Sequence, residues 1–272
     1  VIPNINISNN EQLGAGAPVS EPVGVSVGLP SRFAFYPFKD LFVFPLKGKH
    51  LSKLSRANAE KSLAITVEVI SSVISTSDPE YNYRPLAFDL TLPDFYWILY
   101  YLRKNCYTKA TFMHTCMCNN PLHIHDVKEG KKTVDSLKIQ EQVTRSSLVN
   151  NELEHIPTVD ESITRGMFTI KPATMGDMIT VMEHPKFGID EEFKYASQLA
   201  CYIYQPGAAL NFEQKLAIVN DLSPDQIIAI QEYEKLVSNY GIQETINVLC
   251  KGCGASMETS VSIDASAFLS DD

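Results

Sequence analysis

The sequence predicts an α+β fold: a helical core with short antiparallel strands and a zinc-ribbon-like hairpin site that joins residues near 116 and 250. Three observations carry this expectation. Residues 91–125 read as an apolar helix, a strand and a cysteine turn. Beyond about residue 174 the apolar spacing becomes helical, and the chain closes on two strands joined by Cys250-Lys251-Gly252-Cys253-Gly254. The implied organisation is an extended N-terminal arm over 1–28, an α+β part over 29–164 with a Cys116-x-Cys118 turn, and a helical part over 165–272 ending in the CxxC hairpin.

Composition narrows the function classes. With 272 residues, 44% apolar and 20% charged, the chain has the make-up of a soluble globular protein with room for one or two cores. Its 23 lysines and arginines against 32 acids give a net charge of -9, which disfavours broad phosphate-driven nucleic-acid binding. No apolar run reaches the length of about 18 residues that would span a membrane. The opening VIPNINISNNEQ lacks a basic flank and an apolar stretch, so no signal peptide is expected. Six cysteines, four of them in two close pairs, fit metal binding in a reducing compartment better than a disulfide framework.

In chain order, residues 1 to about 30 are rich in Asn, Gly, Pro, Ser and Val without periodicity. Two readings fit: a disordered tail, or an arm that orders against a neighbouring subunit. Phe33, Phe35 and Tyr36, then Leu41, Val43, Phe44 and Leu46, predict two short strands around a turn at 37–40. Residues 50–76 read as one or two helices with Leu63, Val67, Ile70 and Ile74 on one face, stopped by Ser77-Asp78-Pro79.

Thr91 is then a candidate N-cap, Pro93 lies in the first turn, and Asp94 sits near the positive end of the helix dipole. Leu92, Phe95, Leu99 and Leu102 form one face and Trp97, Tyr100 and Tyr101 a second, so this helix is buried on most sides. After the cysteine turn, 122–127 reads as a strand, 129–132 as a turn, and Leu137, Ile139 and Val143 as a further strand interrupted before Val143; 144–161 reads as a loop. A strand at 167–171 precedes four helices. These start at Thr174 with Asp177, at Asp190, at Asn211 and at Ser223-Pro224, the last running to Tyr240 with Gly241 as its C′ residue. Strands at 245–249 and 256–263 close the chain.

Cys250-x-x-Cys253-Gly254 between two strands is a zinc-knuckle pattern, because the spacing lets both thiolates reach one ion at about 2.3 Å and the glycine permits the turn. A structural zinc takes four ligands, and Cys116 with Cys118 is the best remaining pair, with His123 or His125 as a substitute for one cysteine. Cys106 and Cys201 lie in apolar helical contexts and read as core residues. His123-Ile124-His125-Asp126 lacks the rest of any hydrolytic constellation. The deaminase H-x-E signature and the P-loop, dinucleotide-binding and nucleophile-elbow motifs are absent. The residues therefore point to a non-enzymatic protein. The leading expectation is an assembly subunit, and the alternative is an intracellular zinc-ribbon adaptor for a protein or nucleic-acid partner.

The order LPSRFAFYPFKDLFVFPLKG, FDLTLPDFYWILYYLRKNCY, a cysteine-and-histidine turn, helices and a final CKGCG hairpin ending in IDASAFL resembles the baseplate hub protein family of T-even-like contractile-tailed bacteriophages. Asp94, Leu102, Arg103 and Cys106 match that family's helix motif, with Ile98 replacing its first leucine. The likeness covers roughly 29–125 and 165–268, and Cys116-x-Cys118 departs from the commoner CxxC. It implies a virion component of the tail baseplate, assembled in the host cytoplasm. Such a subunit would pack around the tail tube or spike and contact other hub and wedge proteins, in multiple copies.

Overall fold

Leu92–Cys106 coils into α4, the longest helix among the described residues. The structure is a computed structural model. It describes residues 24–55, 62–81, 85–106, 112–115, 124–128, 131–134, 136–139, 149–150, 169–205, 209–237, 241–242, 245–249 and 256–260. Phe95, Ile98, Leu99, Tyr100 and Leu102 of α4 are buried. This is the face that the apolar spacing marked, widened by Ile98 and Tyr100. Around it pack α1 (Gly48–Leu54), α2 (Ser62–Ser71), α3 (Leu86–Asp89) and an antiparallel sheet. The sheet order is β1 (Val25–Ser26), β2 (Phe42–Val43), β3 (Ile74–Ser75), with Val43 paired to Val25 on one side and Ile74 on the other.

The first core gathers Leu41, Val67, Ile70, Leu86, Leu90 and the buried face of α4. Burying a side chain such as Leu, Ile or Phe contributes roughly 1.5 to 3 kcal/mol. A second core joins α6 (Glu191–Ala200), α7 (Phe212–Asn220), α8 (Pro224–Val237) and the antiparallel pair β9 (Thr169–Ile170) and β10 (Ile203–Tyr204). Ile170, Leu199, Ile203, Ile230, Tyr233 and Val237 fill it. Between the two lies α5 (Met175–Met182). Met175 and Ile179 enter the first core, while Val181 packs with Ala173 and Cys201. The first core thus draws residues from both sides of the division expected at 164/165.

The helix starts follow the sequence. Asp190 accepts a hydrogen bond from Phe193 N at 3.0 Å, and Asn211 accepts one from Gln214 N at 2.9 Å while Gln214 reaches back to Asn211 N. Gln226 does the same for Ser223 N at 2.9 Å. Three expectations change. No strand forms at 33–36: Arg32 and Phe33 take left-handed φ angles of 51° and 62°, and the segment turns instead of pairing with β2. The partner of β2 is β1, which with buried Val27 carries the fold upstream of residue 29. The stretch 144–161, read as a loop, contains β8 (Val149–Asn150), which pairs with β11 (Gly241–Ile242); the helix end expected at 238–240, before Gly241, lies outside the described residues. The Gly241 φ is +89°, and a Cβ there would lie 2.8 Å from Pro93 Cβ, so glycine is required.

Three further antiparallel pairs complete the described chain: β4 (Phe112–Thr115) with β7 (Ser136–Ile139), β5 (Ile124–Lys128) with β6 (Lys131–Val134), and β12 (Thr245–Leu249) with β13 (Ser256–Ser260). Mixed helices and antiparallel strands make the fold α+β. No helix among the described residues is long and apolar enough to cross a membrane.

Candidate functional site

Two helix starts with the same signal, Thr-x-x-Asp, gather buried polar groups around them. Thr91 opens α4 and Thr174 opens α5, and the two residues form an antiparallel bridge. Leu92 N donates to Ala173 O at 3.2 Å and Met175 N donates to Leu90 O at 2.9 Å. The residue before each cap therefore satisfies an otherwise orphaned first-turn amide of the other helix.

At the α4 start, Asp94 is fully buried. Its Oδ1 accepts from Ser31 N at 3.1 Å, and its Oδ2 accepts from the Tyr36 hydroxyl at 2.6 Å and the Thr91 hydroxyl at 3.1 Å. The Tyr36 oxygen in turn accepts from Thr91 N at 2.9 Å. Burial pushes the Asp94 carboxyl above the usual range, against the pull of hydrogen bonds from Ser31, Tyr36 and Thr91. Burial, then the nearby Asp94 charge, also raises the Tyr36 phenol. The left-handed turn at Arg32 and Phe33 lies between the two donors that reach Asp94, Ser31 and Tyr36.

At the α5 start, Asp177 Oδ2 accepts from Thr174 N at 3.2 Å and from the Thr174 hydroxyl at 2.8 Å. Its Oδ1 pairs with Lys215 Nζ of α7 at 2.6 Å, with both side chains largely buried. Lys171 stands nearby, its Nζ 4.6 Å from the centre of the Tyr204 ring. Burial holds the Lys171 ammonium below its usual range, with Asp177 and Asp89 drawing it back up and Lys215 opposing them. Cys201 is buried, and burial pushes its thiol up to about 12, with Asp177 adding to the effect. A thiol protonated at neutral pH is a poor nucleophile and a poor metal ligand. Cys201 is thus the core residue that the sequence indicates.

Cys116, Cys118, Cys250 and Cys253, the expected zinc ligands, lie outside the described residues, as does His123; of His125 and Cys106 only the backbone, in β5 and α4, is described. The strands that lead into the cysteines are described. β4 ends at Thr115, immediately before Cys116. β12 ends at Leu249, β13 starts at Ser256, and these two residues pair, so the connection 250–255 that carries both Cys250 and Cys253 joins a hairpin. Among the described residues no group of three or more His, Cys, Asp or Glu is arranged to hold a metal.

Tyr36, Ser31 and Lys215 are the partners that sequence reasoning missed. Both Thr-x-x-Asp starts are visible in the sequence, but nothing local marks the donor that each aspartate meets. No protein-family profile matches the chain, and no curated protein or solved structure shows significant similarity to it.

Proposed function

We propose that the chain is a structural subunit of a contractile-tail baseplate hub. It packs around the tail tube or spike among hub and wedge neighbours, and a structural zinc held by Cys116, Cys118, Cys250 and Cys253 staples it. The observation that carries this reading is the β12–β13 pairing, which brackets Cys250-x-x-Cys253 as a zinc knuckle requires. Cys116 follows in sequence directly after β4, which ends at Thr115 and pairs with β7. Four thiolates close the coordination sphere of zinc, so the ion contributes folding free energy and leaves no open position for a substrate. The buried titratable groups also fit an assembly role, since Asp94 and Asp177 each hydrogen-bond to side chains inside the fold.

Metal analysis of the purified chain tests the staple. The expected stoichiometry is about one zinc per chain, lost together with amide-exchange protection of β12 and β13 in Cys250→Ser and Cys253→Ser. Full zinc content in both variants contradicts the ligand assignment. Mass spectrometry of purified tails from the phage encoding the chain tests the hub role, and absence of the chain from those tails overturns it.

A further inference from the structure

Lys171 stands one residue beyond β9, and the strand pairing continues through it, since its backbone N donates to Tyr202 O at 3.0 Å. Ile170 and Ile203 lie opposite one another and are buried in the second core. Successive strand residues point to opposite faces, so Thr169 and Lys171 share the other face with Tyr204, which pairs with Thr169. A diagonal neighbour on that face is within reach of a long side chain. The Lys171 Nζ accordingly sits 4.6 Å from the centre of the Tyr204 ring. Lys171 is half-buried, while the ring beneath its amine is 40% exposed, so the amine borders solvent.

Three other elements bring charge to this amine: Asp177 from α5, Lys215 from α7 and Asp89 from the end of α3. The Asp177 carboxylate is already engaged. Its Oδ1 holds Lys215 Nζ at 2.6 Å, and its Oδ2 accepts from the backbone N and the hydroxyl of Thr174. Among the described residues Lys171 forms no ion pair. Burial is the largest influence holding its ammonium below the ordinary range; Asp177 opposes it, Lys215 adds to it, and Asp89 opposes it. Desolvation and a neighbouring cation are the two environments that turn a lysine amine into a nucleophile, and both act here. Lys47, Lys49 and Lys186, by contrast, are exposed.

We propose that Lys171 is a covalent modification site, acylated on Nζ by small acyl phosphates in preference to the exposed lysines of the chain. The unprotonated amine attacks the acyl carbon, and the bond from that carbon to the phosphate oxygen breaks. Inorganic phosphate leaves with the electron pair, and the surplus proton on nitrogen passes to water. The product amide carries no charge, so it ends the repulsion with Lys215 and rests against the Tyr204 ring. The site shares no residue with the zinc staple, and its test is independent of zinc content and of tail localisation.

Limiting treatment of the folded full chain with acetyl phosphate, read by peptide mass spectrometry, is the test. At neutral pH Lys171 is acetylated at least about threefold faster than Lys47, Lys49 or Lys186, and in denaturant, where its desolvation is lost, the rates converge. Raising the pH toward the free lysine value of about 10.4 narrows the lead, because the lead comes from the larger unprotonated fraction. Lys215→Met removes the neighbouring cation and frees Asp177 to pair with Lys171, so Lys171 slows to the rate of the exposed lysines. Circular dichroism establishes that this variant is folded; if it is not, the pH series on the unmodified chain decides alone. Acetylation of Lys171 no faster than that of the exposed lysines, a lead that persists in denaturant or in folded Lys215→Met, or a lead that does not narrow as pH rises each overturns the proposal.

Discussion

At the start of α4, Thr91 and Asp94 face a tyrosine; at the start of α5, Thr174 and Asp177 face a lysine. The local signal is the same, and both carboxylates are removed from water. Asp177 is neutralised by a charge from another helix. Asp94 is held among the described residues by uncharged donors, a backbone amide among them. The segment that supplies two of those donors carries left-handed conformations at Arg32 and Phe33, which cost roughly 1 kcal/mol or more each for residues with a Cβ. The difference teaches that a buried helix-start acid can be held by one long side chain or by a shaped loop, and that the loop exacts backbone strain.

Breaking the charged arrangement has the largest expected effect. Lys215→Ala leaves Asp177 buried beside its own cap and is expected to cost about 3 kcal/mol in urea unfolding; a cost below that of the tyrosine change would reverse the ranking of the two sites. Tyr36→Phe removes the donor to Asp94 and the acceptor for Thr91 N, with an expected cost of about 2 kcal/mol. Gly241→Ala tests the chain laid over the α4 start, where the positive φ and the Pro93 contact predict a loss of about 2 kcal/mol. Thr174→Ala removes a cap hydroxyl and is expected to cost about 1 kcal/mol, observable as a shifted unfolding midpoint.

The smallest effect is one of pH. Burial holds the Asp94 carboxyl above its ordinary range, so the folded state binds that proton more tightly than the unfolded chain. Its contribution is greatest below the unfolded value of about 3.9 and declines as pH rises toward the folded one. Asp94→Asn lacks this decline, so its stability penalty shrinks as pH increases from 4. A penalty that grows with pH would mean that the network favours the carboxylate instead.

What the sequence revealed was local. Cap residues at Thr174, Asp190 and Asn211 and the apolar face of α4 depend on neighbours within a few positions, and the structure keeps them. Tyr36 and Ser31 meet Asp94 from 58 and 63 residues away, and Lys215 meets Asp177 from 38 away; no spacing rule reaches so far. The aromatic run at 33–36 imitates a strand, but the demand of Asp94 for donors accompanies a turn there. β1 and α3 escaped notice because two and four residues carry too little periodicity to read. For the cysteines, spacing and flanking strands were legible, whereas whether two distant pairs meet is a matter of tertiary structure alone.

One contact described by the α4 side chains has an optical consequence. The chain contains a single tryptophan, Trp97, and its indole N–H donates to the Gly28 carbonyl at 3.0 Å. Release of the segment around Gly28 would hydrate the indole while leaving the tyrosine-bearing second core in place. Fluorescence excited at the indole band thus monitors undocking of that one segment, and a red shift preceding the loss of helical ellipticity would resolve it as a separate unfolding step.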